Sequence, residues 1–241
     1  KSVLLHFGYQ CNSFYLSIQF YDALKKRLNG DIETRINKIA ASTYSQVYDW
    51  IFARKAFDTA DLDYLEVFEE DPVYLDIRND FESIVDIHAE YQWEQFDLVG
   101  FSCSFNQTVS SLALARAIKR KHPNIPIVFG GAGINSNIAN QIVNNTECVD
   151  SIIIGEAEVV FPASIPGILN GQRGIIQADL LTLDEFNNQP LPNYDEFFRD
   201  QNTTTCSMEA SRGCWYKPLC SFCGMVPNGS YRSKRDLISE I

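Results

Sequence analysis

The sequence predicts a doubly wound parallel-sheet α/β domain with a helical insertion, followed by a linker and the start of a second unit. Three observations predict it. Short apolar runs at SVLLHF (2–7), FDLVGFSC (96–103), IPIVFGGAG (125–133), VDSIIIGEAE (149–158) and GIIQA (174–178) lack polar alternation, as parallel strands buried on both faces do. Stretches with helical periodicity separate them, and strand alternating with helix makes a parallel sheet. Several runs end in glycines or small polar residues, where an open α/β sheet keeps its ligand crevice.

The elements follow in order. After strand 2–7, GYQCNS is a loop. Residues 14–30 are predicted helical, with Phe14, Ile18, Tyr21, Leu24 and Leu28 at helical spacing and Asn29-Gly30 as the stop. Residues 31–95 interrupt the rhythm as a helical insertion, with helices at 47–57 and 78–91 around an acidic, aromatic stretch. The rhythm resumes with strand 96–103. Helix 108–123 follows, with Leu112, Ala115, Ile118 and Lys119 in register and Pro123 ending it. Strand 125–133, helix 136–145 and strand 149–158 come next, then a proline-broken helix and a last strand at 174–178. The domain closes at 178. Residues 179–202 are rich in Asn, Pro and acid and are predicted to be a linker over a surface. A new strand (203–211), a cysteine cluster, a turn at Asn228-Gly229 and a helix start complete one βα unit, 203–241.

Composition bounds the function. The net charge of −11 repels phosphate backbones, so nucleic acid is not an expected partner; plain solubility is reason enough for the acidity. No apolar run approaches the roughly 20 residues that span a bilayer, so no membrane partner is expected and the protein is placed in the cytoplasm. Cys11, Cys103, Cys148 and Cys206 lie in apolar or small-residue contexts and are expected to be buried thiols of a reduced compartment. The chain begins in a strand without an initiator Met and ends inside a helix, which suggests a fragment of a longer protein.

Two constellations carry chemistry. Ser102-Cys103-Ser104, Gly130-Gly131-Ala132-Gly133 and Gly155-Glu156 all fall at one edge of the sheet. Glycines let backbone N–H groups approach a nucleotide-like ligand; ordinary tight βα turns have the same composition. GYQCNS lacks the G-x-G-x-x-G pattern, which disfavours a dinucleotide. The second constellation is SRGCWYKPLCSFCG, with Cys214, Cys220 and Cys223 close together among aromatics. Three thiolates suit an iron–sulfur cluster with one iron left open; zinc would need a fourth ligand, for which Cys206 is the candidate. Redox-active or inert thiols are the remaining alternative.

The order of these features resembles that of cobalamin-dependent radical SAM enzymes. VGFSCSFNQ, FGGAGIN and IIIGEAE are similar to the strand ends of their Rossmann-like cobalamin-binding domain. PLPNYDEFF resembles their linker. EASRGCWY…CSFCG…YRSK…LISEI resembles the first βα unit of their (β/α) barrel. YDWIFARKAF and the aromatic-rich cysteine motif resemble those of the radical SAM proteins of ribosomal peptide natural-product (RiPP) maturation, including C-methyltransferases.

The resemblance implies three cofactors: a [4Fe–4S] cluster on Cys214, Cys220 and Cys223, S-adenosylmethionine on its open iron, and cobalamin. It implies reductive formation of a 5′-deoxyadenosyl radical, hydrogen abstraction from an unactivated carbon, and methyl transfer to that carbon. The implied partners are a precursor peptide and a reductant of the flavodoxin or ferredoxin type. Ser102, Ser104, Gly130, Gly131 and Gly155 would line the cobalamin's nucleotide tail, with Glu156 close by. Phe222 would shield the cluster or touch the adenine, or simply be a core aromatic. The rest of the barrel would lie beyond Ile241, so this fragment alone is expected to be inactive.

Two departures from the family matter. Five residues, WYKPL, separate the first two cysteines instead of three, which costs only about 0.4 kcal/mol of loop closure. The D-x-H-x-x-G loop is missing, and His6, His88 and His122 stand in no such pattern. Asn106 and Gln107 are then candidates for the cobalt face, although helix capping explains them equally well. Two rival functions remain: a radical SAM enzyme that does not methylate and has a degenerate cobalamin domain, and a non-catalytic α/β binding module with a zinc-stabilised tail.

Overall fold

The computed structural model describes residues 1–27, 33–34, 37, 47–57, 72–200, 209–214 and 232–233. The chain divides into two compact units, one of Leu16–Ala178 and one of Lys1–Tyr15 with Asp179–Ile241.

The larger unit is built on a parallel sheet of β1 (Val99–Ser102), β2 (Ile127–Gly130), β3 (Ser151–Ile154) and β4 (Gly174–Gln177). This is the parallel α/β class that the sequence predicts. The strands lie in sequential order, β1-β2-β3-β4, with no reversal among the described residues. Apolar runs without alternation prove to mark the central strands only. All four residues of β3 and the first three of β2 are buried, whereas β1 and β4 alternate. An edge strand has one neighbour and less cover, so its outward residues meet water.

Both faces of the central strands are covered. Val128, Ile153 and Ile176 share one face and pack with Ala157, Val160, Phe161 and Ile168 of α7 (Ala157–Leu169). Ile127, Phe129 and Ile152 point the other way and are fully buried. α7 runs unbroken through Pro162 and Pro166, contrary to the expected broken helix. α5 (Thr108–Lys121) joins β1 to β2, and α6 (Ser136–Asn145) joins β2 to β3. The side chain of Asn135 starts α6 by accepting the Ile138 N–H at 3.0 Å.

The predicted insertion is helical where it is described. α2 (Leu16–Arg27) precedes it. α3 (Val47–Phe57) and α4 (Pro72–Ala89) form its body, and α4 starts six residues before the expected 78. α3 buries Val47, Trp50, Ile51, Phe52, Ala53 and Ala56, because it is wedged between α4 and α5. Arg54 clamps it to α4 through two hydrogen bonds to Glu82, at 2.9 and 3.0 Å. Arg78 lies buried over the Trp50 ring at 4.2 Å. Arg116 of α5 donates to the Ala56 carbonyl at 3.1 Å, closing the C-terminal end of α3.

The smaller unit corrects one expectation. Residues 2–7 are not a strand: Ser2–His6 is a helix, α1. Among the described residues the segment has no strand neighbour, and it satisfies its backbone locally, as in Leu5 N–H to Lys1 O at 3.0 Å. The Asn193 N–H donates to Ser2 Oγ at 2.7 Å, Lys1 pairs with Glu196 at 2.6 Å, and Tyr15 meets Phe197 edge-on. The segment read as a linker, 179–202, has helical turns where it is described. It holds α8 (Leu183–Asn187) and α9 (Asp195–Asp200), with a Thr182–Glu185 capping box and a buried Leu181 and Phe186. The apolar residues among its acids anchor it.

Of the expected strand 203–211, residues 203–208 lie outside the described residues. β5 is Ser211–Arg212, and it pairs antiparallel with β6, Arg232–Ser233. The remainder of the expected βα unit lies outside the described residues, as does the Asn29-Gly30 helix stop. No helix among the described residues is long and apolar enough to cross a membrane.

Candidate functional site

The carboxyl ends of β1, β2 and β3 meet in one rim, and close backbone contacts hold it together. Cys103 lies just past β1, fully buried. Its N–H donates to Gly130 O at 2.7 Å and its carbonyl accepts from the Gly133 N–H at 2.9 Å. Gly131 has φ 102°, and a Cβ there would stand 2.5 Å from the Cys103 carbonyl oxygen. Gly155 has φ 96°, and its Cβ would reach the Ala178 oxygen at 2.9 Å. Both positions need glycine twice over, for the backbone angle and for the space. The glycine-rich ends that the sequence singles out are thus the joints of the rim.

Ser102 and Gly130 are partners across β1 and β2, on the face that α7 covers further along the sheet. Over β1 that face is open. Gly100 and Ser102 are exposed, and a Cβ at Gly100 would meet nothing within 4 Å. This uncovered strip of small residues along β1, here termed the trough, leads toward the rim. Gly100 was missed in the sequence because it sits inside a strand. The available signal was a glycine in an otherwise apolar run.

The remaining predicted residues divide by role. Gln107 is occupied: its Oε1 accepts from both the Ser104 N–H and Ser104 Oγ, each at 3.0 Å, in a capping box before α5. Ser104 is the other half of that box. Asn106 is exposed beside them, with φ −88° and ψ 26°. Glu156 is the half-buried N-cap residue of α7.

The thiols sort by burial. Cys103 and Cys148 are buried, and burial pushes both thiols up. A Ser111 contact opposes this at Cys103, and a Thr146 contact at Cys148. Such thiols stay protonated and inert. Cys11 is only half-buried, short of the expected burial. Cys214 is half-buried and unbridged; Cys206, Cys220, Cys223 and Phe222 lie outside the described residues.

Within the larger unit, His88 and His122 stand away from the rim. His6 ends α1. His122 is the C-cap of α5, at the opposite end of the sheet and 3.7 Å from Glu94. His88 of α4 stacks on Phe20 at 4.9 Å, and burial lowers its pKa.

That geometry is a lean, glycine-jointed rim with an open trough beside it. Residues 59–165 match the B12 binding domain. The match takes in β1, β2, β3 and the rim loops between them, and it supports cobalamin binding by this part of the chain. No curated protein and no solved structure matches the chain. The residues present do not obstruct such a ligand: Gly131 and Gly155 bring no side chain to the rim, and the face of β1 over Gly100 and Ser102 is uncovered.

Proposed function

We propose that this chain is the N-terminal part of a cobalamin-dependent radical SAM enzyme, a C-methyltransferase acting on a ribosomally made peptide in the cytoplasm. The observation that carries this reading is the pairing of a B12-binding match over 59–165 with Cys214, Cys220 and Cys223 downstream in the same chain. The donor set fits its group: three thiolates hold a [4Fe–4S] cluster and leave one iron for S-adenosylmethionine. When bound, cobalamin supplies the transferable methyl group.

The chain's own residues have simpler tasks. Gly131 and Gly133 bring the β2 loop onto Cys103. Gly100, Ser102 and Gly130 leave room for the ligand. The Ser104–Gln107 box fixes the loop that follows β1. Phe222 would lie beside the cluster. A precursor peptide and a flavodoxin or ferredoxin-type reductant complete the system.

The test is anaerobic reconstitution of the full-length protein with iron, sulfide and hydroxocobalamin, then desalting and an absorption spectrum. The expected result is retention of corrin bands together with cluster absorption. Cys220→Ala should abolish the cluster and S-adenosylmethionine cleavage while corrin retention persists. Retained cleavage in that variant would sink the radical SAM assignment.

One observation favours a second reading. The antiparallel β5–β6 pair brackets the cysteine segment, as a hairpin around a structural zinc would. Metal analysis separates the two, since one zinc per chain without iron supports the zinc-stabilised tail.

A further inference from the structure

The loop after β1 holds a residue that its packing does not explain. Phe105 is the one non-glycine residue with positive φ among the described residues, at 47°. L-residues avoid this region because the Cβ crowds the following carbonyl, and an aromatic side chain has no compensating local hydrogen bond. The ring is also 95% exposed, so it gains nothing from burial. Strain and exposure together make Phe a poor choice on structural grounds alone.

The neighbours account for the backbone. On one side Cys103 is fixed by Gly130 and Gly133; on the other, Ser104 and Gln107 close their capping box. Residue 105 must turn inside that box, directly after the Cys103 joint. Glycine would turn there without strain. The chain instead holds an apolar ring out at the carboxyl end of β1, beside the open trough of Gly100 and Ser102.

We propose that Phe105 is a ligand-contacting residue whose ring lies against the corrin macrocycle. This rests on the cobalamin reading of 59–165 and goes beyond it by assigning the part of the ligand that the residue meets. A phosphate or an amide gains nothing from a phenyl ring. A broad conjugated ring carrying methyl groups gains by covering the exposed phenyl face. The clamped loop presents that face already ordered, so little freedom is lost on binding.

The experiment is a hydroxocobalamin titration by equilibrium dialysis on the full-length wild type, Phe105→Ala, Phe105→Gly and Phe105→Tyr, with thermal unfolding of each protein without ligand. Expected is about 10-fold weaker binding or more for the Ala and Gly variants, and near wild-type binding for Tyr. Phe105→Gly should also unfold at a higher temperature than wild type, because it releases the strained φ. Wild-type affinity in the Ala and Gly variants overturns the assignment. So does a lower unfolding temperature for Phe105→Gly, which would make Phe105 a structural residue. Absence of binding by wild type itself overturns the cobalamin reading, and the Phe105 assignment with it.

Discussion

The two ends of the parallel sheet are built on opposite terms. At the amino end, Asp150 precedes β3 with its carboxylate almost wholly buried. It accepts the Ile127 N–H at 2.7 Å and pairs with Lys119 at 2.7 Å and Arg173 at 3.0 Å. Lys119 also donates to Ile125 O at 2.7 Å. Few polar groups are left over there. At the carboxyl end the joints are glycines, the trough is open and one phenyl ring stands in solvent. Buried charge and its hydrogen bonds register the strands at one end, whereas glycine joints and backbone contacts predominate at the other. A ligand can then occupy the space that side chains at those joints would have filled.

The largest test of that contrast is Asp150→Ala. It removes the carboxylate partner of the half-buried Lys119 ammonium and the acceptor of the Ile127 N–H, at a cost of about 3 kcal/mol. Urea unfolding should show the midpoint fall, while cobalamin retained per folded molecule stays unchanged. A selective loss of retention would mean that the two ends are not separable.

Next in size is a pair of glycine substitutions at the rim. Gly131→Ala drives a Cβ into the Cys103 carbonyl at a positive φ and should destabilise by about 2 kcal/mol. Gly100→Leu enters open space, so the unfolding midpoint should move little. The same substitution fills the trough and should reduce cobalamin retention about 10-fold. Unchanged retention would remove the trough from the site.

The smallest effect concerns pH. Burial against Phe20 holds the pKa of His88 below its ordinary 6.5. The folded state therefore binds fewer protons than the unfolded state between the two pKa values. That contribution is full above the unfolded value and is lost as pH falls through the folded one. Unfolding midpoints measured from pH 7.0 downward should drop in wild type and drop less in His88→Gln. Identical profiles would show that the ring is not buried enough to matter.

Much of this was legible in the residues. Fully apolar runs located β2 and β3, because a strand covered on both faces has no polar position to show. Helical spacing located α3, α5 and α6, with α3 and α6 at their expected limits. The glycine-rich ends marked the rim, since positive φ and close approach select glycine. Lys119 stood among the apolar residues of its helix, and its partner Asp150 explains why.

Other features depended on long-range packing. SVLLHF satisfies either period over six residues, and only its neighbours decide: tied to residues 193–197, it is a helix. Prolines within α7 suggested a break, yet the helix continues where its apolar face packs on the sheet. The sequence by itself determined the α/β class, the central strands and the glycine joints, because these follow from local periodicity and backbone sterics. The tertiary structure alone decided which face of β1 stays uncovered, which charges saturate Asp150 and that Phe105 turns outward under strain. Those depend on atoms brought together from distant parts of the chain, and no local pattern encodes them.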